Sequence, residues 1–317
     1  MSQITISDIP LDTPAQRLRR TAAAVRVHFT WMGVRKTLTK QQKEEAAEPF
    51  GAQGEFLSAG KKLVDSKHSA MKRLTEVKGR IAHYWKGLTL PYTEPGIRLI
   101  RQADIEAFVH CMEGFRQELA EAVEDLNVQF RQIKEDAAKR LGRLFNENDY
   151  PTDVRSLFSV EWDFPSVEPP GYLMQLNPEI YAQEQQRVAA RFDEAVRLAE
   201  QAFMAELAEM VEHLTERLAP SPEGQRKVFR DSAIGNIREF FDRFRRLGLR
   251  SNADLDRVVA QAQEMLTGAN PQEVRDNQAL RNRLRVGMTV VGNQLAGMMQ
   301  DAPRRKIVRG GQHAVAS

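Results

Sequence analysis

Three groups of residues have types and spacings that could do chemistry. The segment Gly54-Glu55-Phe56-Leu57-Ser58-Ala59-Gly60-Lys61-Lys62 has the outline of a phosphate-binding loop. Such a loop needs four residues between its first glycine and the Gly-Lys pair, so that successive N–H groups wrap the phosphates, and then a Ser or Thr to hold magnesium. Here five residues intervene and Lys62 stands where the hydroxyl belongs, so the segment reads as the start of a helix. His213 has Glu209 and Glu216 at one-turn spacings, the pattern by which one helix face offers ligands to a metal. In a helix this rich in glutamate the spacing also arises by chance, and it reads as surface ion pairing. Cys111 is the single cysteine. A thiol nucleophile needs a base placed by the fold, and a position beside Met112 on a helix reads as a spectator. One cysteine also excludes an intrachain disulfide framework and a cysteine-based zinc cluster. The expectation is therefore no catalytic, cofactor-binding or metal-ligating set, and no cofactor.

What the sequence offers instead is charge laid out in blocks. The 317 residues carry 46 Lys and Arg against 43 Asp and Glu, a net charge of only +3. Residues 17–43 hold a local charge of +8, residues 226–250 +5 and residues 281–309 +6, while residues 178–219 hold −5. Basic blocks of this size neutralise phosphates and attract nucleic acid, and they equally dock the acidic flank of a protein or of another copy of the chain. The candidate contact residues for either partner are Arg35, Lys36, Arg243, Arg245, Arg246, Arg304, Arg305 and Lys306. No recognition-helix or stacking-aromatic pattern singles out nucleic acid, so a protein partner or self-association is the leading expectation.

These residues must be positioned by elements that the periodicity of the chain locates. Val25, Val27, Phe29 and Trp31 alternate with polar residues, as do Phe158, Val160, Trp162 and Phe164. Period two predicts half-buried strands at 25–31 and 157–164. Their outer faces carry opposite charges, Arg26 and His28 on one and Glu161 and Asp163 on the other, which favours their pairing. The period becomes helical over 55–88 and again over 104–145, where Phe108, Met112, Phe115, Leu119, Val123, Leu126 and Phe130 share a face. A third helix over 178–219 opens at Asn177-Pro178 and repeats every 11 residues, with rows Val188, Ala199 and Met210, then Phe192, Phe203 and Leu214, then Val196, Leu207 and Leu218. An 11-residue repeat favours a straight or slightly right-handed helix packing.

The expected fold is mainly α: an elongated three-helix coiled-coil-like stalk with a small two-stranded β head over 1–221. Trp31 and Trp162 are expected to be buried against helix ends, and Phe192, Phe203 and Leu214 to face Phe108, Phe115 or Phe130. A small helical module is expected over 222–302, with helices at 226–247, 252–267 and 271–300, and a disordered basic tail over 303–317. Pro10 and Pro14 predict an irregular stretch over 1–20. No apolar run approaches the ~20 residues that span a bilayer, and the start of the chain lacks the apolar core of a signal peptide. A cytoplasmic protein without membrane contact is expected.

An early strand ending near Trp31, followed by Arg35-Lys36-Thr37-Leu38, combines here with long helices interrupted by Asp149-Tyr150-Pro151 and by the Phe158 to Phe164 strand. This layout, over roughly residues 20–220, resembles an uncharacterised helical family of phage and mobile-element genomes. Genes of that family lie beside a MoxR-type AAA+ ATPase and a von Willebrand factor A-domain protein. The resemblance carries no catalytic residues. It implies a non-enzymatic scaffold or adaptor, accessory to an ATPase system in a bacterial host. The alternative expectation is a nucleic-acid-binding accessory protein of a phage or plasmid.

Overall fold

The structure is a computed structural model that describes residues 12–220 and 232–301. Along the chain, α1 (Pro14–Thr21) leads into β1 (Ala22–Thr30) and β2 (Arg35–Thr37), and α2 (Lys40–Ala47) precedes β3 (Gly60–Lys62). Next come α3 (Ser69–Leu88), β4 (Thr89–Pro91), β5 (Ile97–Arg101), α4 (Ile105–Leu141), β6 (Ser159–Asp163), α5 (Tyr172–Leu176) and α6 (Pro178–Leu218). The last helices are α7 (Ser232–Leu247), α8 (Ala253–Leu266), α9 (Pro271–Asp276) and α10 (Gln278–Asp301). The fold is mainly helical with a small antiparallel sheet. None of the described helices is long and apolar enough to cross a membrane. The chain forms two compact units, Thr21–Val188 and Met1–Arg20 with Ala189–Ser317.

The unit Thr21–Val188 is built on an antiparallel pair of helices, α3 and α4. Arg73 meets Asp125 and Glu121, Arg80 meets Glu118, and Tyr84 stacks on Phe108 at 6.1 Å. Partners therefore run in opposite directions along the two helices. Leu74, Val77 and Ile81 from α3 and Phe108, Met112, Leu119, Leu126, Phe130 and Ile133 from α4 form one buried core. α3 starts at Ser69 rather than near residue 55, because the His68 imidazole caps it by accepting from the Ala70 N–H at 3.3 Å. α4 stops where Gly142 takes a positive φ of 50°, a conformation that an L side chain resists.

The sheet that caps this pair has the order β4-β5-β1-β6, antiparallel throughout. The expected pairing of the two sequence-predicted strands is present, with Arg26 opposite Asp163, Val27 opposite Trp162, His28 opposite Glu161 and Phe29 opposite Val160. Arg26 binds Asp163 at 2.5 Å, and the His28 ring lies 3.8 Å from the same carboxylate. The head is not two-stranded, however. β1 is a central strand whose other edge takes the hairpin β4–β5, in the register Ala24 opposite Leu99. Pro91 sits in β4, an edge strand where a missing N–H costs no ladder bond, and Gly96 turns the hairpin at φ 80°.

The face bearing Val25, Val27 and Val160 joins the core of α3 and α4. The opposite face is apolar and buried toward the hairpin, at Ala24, Leu90, Ile97 and Leu99, and charged toward β6. Trp31 and Trp162 are half-buried, not fully. Trp31 packs edge-on against Phe158 at 5.0 Å and lies under the Lys78 ammonium at 4.3 Å, while Arg116 covers Trp162 at 5.4 Å. Cations over indole faces give each ring one polar, partly wet side.

In the other unit, the three apolar rows of α6 do form its buried face: Phe192, Val196, Ala199, Phe203, Leu207, Leu214 and Leu218 are all buried. Phe203 packs edge-on against Phe240 at 6.0 Å and Phe244 at 5.0 Å, both from α7. Val211 packs against Gly292 of α10, and Arg281 donates to the Arg217 carbonyl at 3.0 Å. α7 is strongly amphipathic, burying Ile234, Ile237, Phe240 and Phe241, and that face needs a cover which α6 supplies. Gly287 of α10 lets α8 approach so closely that a Cβ there would sit 2.6 Å from the Met265 sulfur. Pro14 occupies the first position of α1, where its fixed φ favours a helix, so residues 14–21 are helical and not irregular. The expected tail at 303–317 lies outside the described residues.

The Phe203 contact gives a direct test. Phe203→Ala should destabilise the protein by about 3–5 kcal/mol in urea unfolding. A double-mutant cycle with Phe244→Ala should return a coupling of about 0.5–1.5 kcal/mol.

Candidate interaction surfaces

The first surface is built on the ribbon β2–β3, where Arg35 pairs with Lys62, Lys36 with Lys61 and Thr37 with Gly60. Cross-strand partners share a face and alternate along the strand, so Lys36 and Lys61 lie on one side and Arg35 and Lys62 on the other. The Lys36–Lys61 side meets Asp149. Lys36 donates to Asp149 Oδ1 at 2.5 Å, and the Lys61 ammonium sits 2.6 Å from Oδ2. Asp149 is 2% exposed and Lys61 6%. The Lys61–Asp149 contact is an ion contact without hydrogen-bond alignment, because Lys61 directs a proton to the Leu144 carbonyl at 2.6 Å. Next along the chain, the Tyr150 hydroxyl donates to the Leu63 carbonyl at 3.0 Å, and its ring stacks on Phe145 at 5.2 Å.

This cluster clamps the ribbon β2–β3 to the segment that holds Asp149. The hydrogen bond from Lys36 first, and then the close approach of the Lys61 ammonium, hold the Asp149 carboxyl below its ordinary range, against the opposing effect of burial. The segment that resembled a phosphate-binding loop therefore has a structural role. Gly60, Lys61 and Lys62 form β3 instead of a helix start, and Gly54 opens a short 3-10 turn. A Cβ at Gly54 would sit 2.6 Å from the Glu44 nitrogen, so only glycine allows this turn to close on α2.

Beyond the clamp, residues 38–59 form an arm of α2 and two 3-10 turns. Thr39 and Gln42 close a capping box at the start of α2. At the tip, Phe50 is 85% exposed and Phe56 82%, with Glu44, Glu45, Glu48 and Glu55 beside them in sequence. On the outer side of the ribbon Arg35 and Lys62 are exposed and have no ion-pair partner among the described residues.

The second surface follows β6. Phe164 packs edge-on against Phe108 at 6.4 Å yet stays partly exposed. α5 then presents Tyr172, Met174 and Leu176, and the first turn of α6 presents Ile180, all exposed. Asn177 separates the two helices: its side chain accepts from the Ile180 N–H at 3.1 Å and caps α6, with Pro178 at the first helical position.

The remaining sequence candidates are dispersed. Arg243 is half-buried, paired with Glu206 of α6 and lying over the Phe240 ring at 5.6 Å. Arg245 pairs with Asp242 at 2.8 Å, and Arg246 is exposed. Arg304, Arg305 and Lys306 lie outside the described residues. Glu209, His213 and Glu216 line a groove with Ser232 and Asn236, and no group of three or more metal-ligating side chains is assembled among the described residues. Cys111 is half-buried on α4. Sequence reasoning named Lys36 but missed Lys61 and Asp149, and it missed the tip phenylalanines by placing Phe56 on a helix face. The Tyr172–Leu176 run was visible between Pro170-Gly171 and Asn177-Pro178, but it is too short for a period to show which side is buried. No protein-family model, curated protein or solved structure matches the chain.

Removing one partner of a buried pair leaves the other charge without compensation. Lys61→Met should therefore cost about 3–5 kcal/mol in urea unfolding, and Lys36→Met less, because Lys36 is half exposed. Asp149 has a folded pKa depressed below its ordinary 3.8. Between the two values the unfolded chain binds more protons, so stability falls as pH drops through that window. Acid unfolding of Asp149→Asn should lack this component.

Proposed function

We propose that this chain is a non-enzymatic helical scaffold or adaptor that holds a protein partner through exposed apolar surface. The observation that carries the reading is the run of exposed Tyr172, Met174, Leu176 and Ile180 on two consecutive helical segments. A large apolar side chain left in water forgoes about 1.5–3 kcal/mol of burial, and contiguous apolar patches on a protein surface mark contact sites. Tyr172 and Leu176, four residues apart on one side of α5, have the spacing of anchors that dock into a groove of a partner. Asn177 and Pro178 fix the turn between the segments, so the anchors are presented with little ordering left to do on binding.

The resemblance of residues 20–220 to a phage and mobile-element family supports a specific partner, an AAA+ ATPase acting with a von Willebrand factor A-domain protein in the cytoplasm of a bacterial host. A second reading, nucleic-acid binding, draws support from the outward, unpaired Arg35 and Lys62 on a β-ribbon. Phosphate contacts from those residues would be lost steeply with salt.

Calorimetric titration against a MoxR-type AAA+ ATPase separates the two. Met174→Ser with Leu176→Ser should weaken binding at least about tenfold, or ~1.4 kcal/mol, with an unchanged melting temperature. Undiminished binding by the double variant, or no binding by the parent chain together with salt-sensitive binding to DNA, would replace the adaptor reading with the second one.

A further inference from the structure

We propose that Met174 is an oxidation switch: peroxide converts its thioether to the sulfoxide ahead of the other described methionines, and the sulfoxide turns off the apolar surface of α5. The inference deepens the adaptor reading and rests on it, because it assigns a regulation to the Tyr172–Ile180 surface.

Burial singles this residue out. Met32, Met71, Met112, Met204 and Met288 are buried, and the other described methionines apart from Met174 are half-buried. Met174 is 56% exposed. The shielding of the others is structural. Met71 and Met112 lie inside the core of α3 and α4. The Met265 sulfur lies against α10, so close that a Cβ at Gly287 would meet it. Met174 sits instead in the five-residue helix α5, where its N–H donates to the Gly171 carbonyl at 3.2 Å. Its side chain reaches solvent, as do those of Tyr172 and Leu176 on either side of it along the chain.

The step is a two-electron oxidation of sulfur by hydrogen peroxide. A sulfur lone pair attacks one peroxide oxygen, the S–O bond forms, the O–O bond breaks, and the second oxygen leaves as water. A flexible apolar side chain becomes a polar, chiral one. Burying that S=O group in an apolar groove without a hydrogen bond is unfavourable, so the oxidised surface loses its anchor. Methionine sulfoxide reductases, one for each epimer, restore the sulfide, with a dithiol oxidised to the disulfide and the oxygen released as water.

Limited treatment with hydrogen peroxide provides the test, read by peptide mass, by retention on a phenyl column and by calorimetric titration against the AAA+ ATPase of the adaptor reading. The peptide that holds Met174 should gain one oxygen before any peptide that holds another described methionine. The oxidised chain should elute earlier from the column and bind about three- to tenfold more weakly, and reductase treatment should reverse both changes. Met174→Leu conserves volume and apolarity and keeps Cys111 and every other methionine. It should match the untreated parent in retention and binding, and peroxide should alter neither. Oxidation that begins at another described methionine overturns the proposal, as does a Met174 sulfoxide that leaves retention or binding unchanged. A loss that Met174→Leu shares, or that reduction does not reverse, overturns it as well. Mass and retention involve no partner. An untreated parent that does not bind the ATPase therefore removes the adaptor reading, while those two readouts still decide whether Met174 is the switch.

Discussion

A carboxylate that is 2% exposed cannot stand alone, because taking an unpaired charge out of water costs several kcal/mol. Asp149 meets this constraint with one ammonium from each strand of the ribbon, Lys36 from β2 and Lys61 from β3. The consequences extend outward. With Lys36 and Lys61 turned inward, strand alternation turns Arg35 and Lys62 outward. With both strands held, the arm between them is anchored at its two ends. Its tip is then free to expose Phe50 and Phe56 without loosening the core, since neither ring contributes to the buried cluster around α3 and α4.

The core itself depends on β1. This strand pairs with residues 97–101 on one side and residues 159–163 on the other, so it ties together segments far apart in the chain. Val25 and Val27 face the helices, and Arg26 and His28 face away, where Asp163 receives both. The sheet gathers both the stretch that ends at Asp149 and the stretch that leads into the exposed α5. The exposed large apolar side chains among the described residues include Phe50 and Phe56 on the arm, Val128 on α4, Tyr172, Met174, Leu176 and Ile180 on α5 and the start of α6, and Val286 and Val290 on α10.

Periodicity made much of this legible. Alternation located β1 and β6 and, with their opposed charges, their pairing. The 3.6- and 11-residue rows located α4 and α6 and the side of each that is buried. What periodicity does not contain is the identity of the neighbour. An apolar row on a helix does not say which other apolar face covers it. Phe203 found Phe240 and Phe244, because α7 has an aromatic face of its own to bury. The hairpin β4–β5 was hidden by its prolines, which mark an edge strand as readily as a break. The clamp was hidden for a different reason. Lys36 and Asp149 are separated by 113 positions, and an ion pair between such distant residues leaves no trace in local spacing. Of the basic residues named as contacts, Arg243 pairs internally with Glu206, while Arg35 is exposed.

Amide hydrogen exchange in Asp149→Asn tests the central claim, that a buried carboxylate holds the arm in place. The reporters are the Leu38 N–H bonded to the Ala59 carbonyl and the Leu63 N–H bonded to the Val34 carbonyl, which flank the ribbon at 3.1 and 2.9 Å. With the carboxylate neutralised, protection at Leu38 and Leu63 should fall sharply while the β1 amides between Ala23 and Phe29 keep theirs. Unchanged protection at Leu38 and Leu63, or an equal loss at β1, would contradict the account.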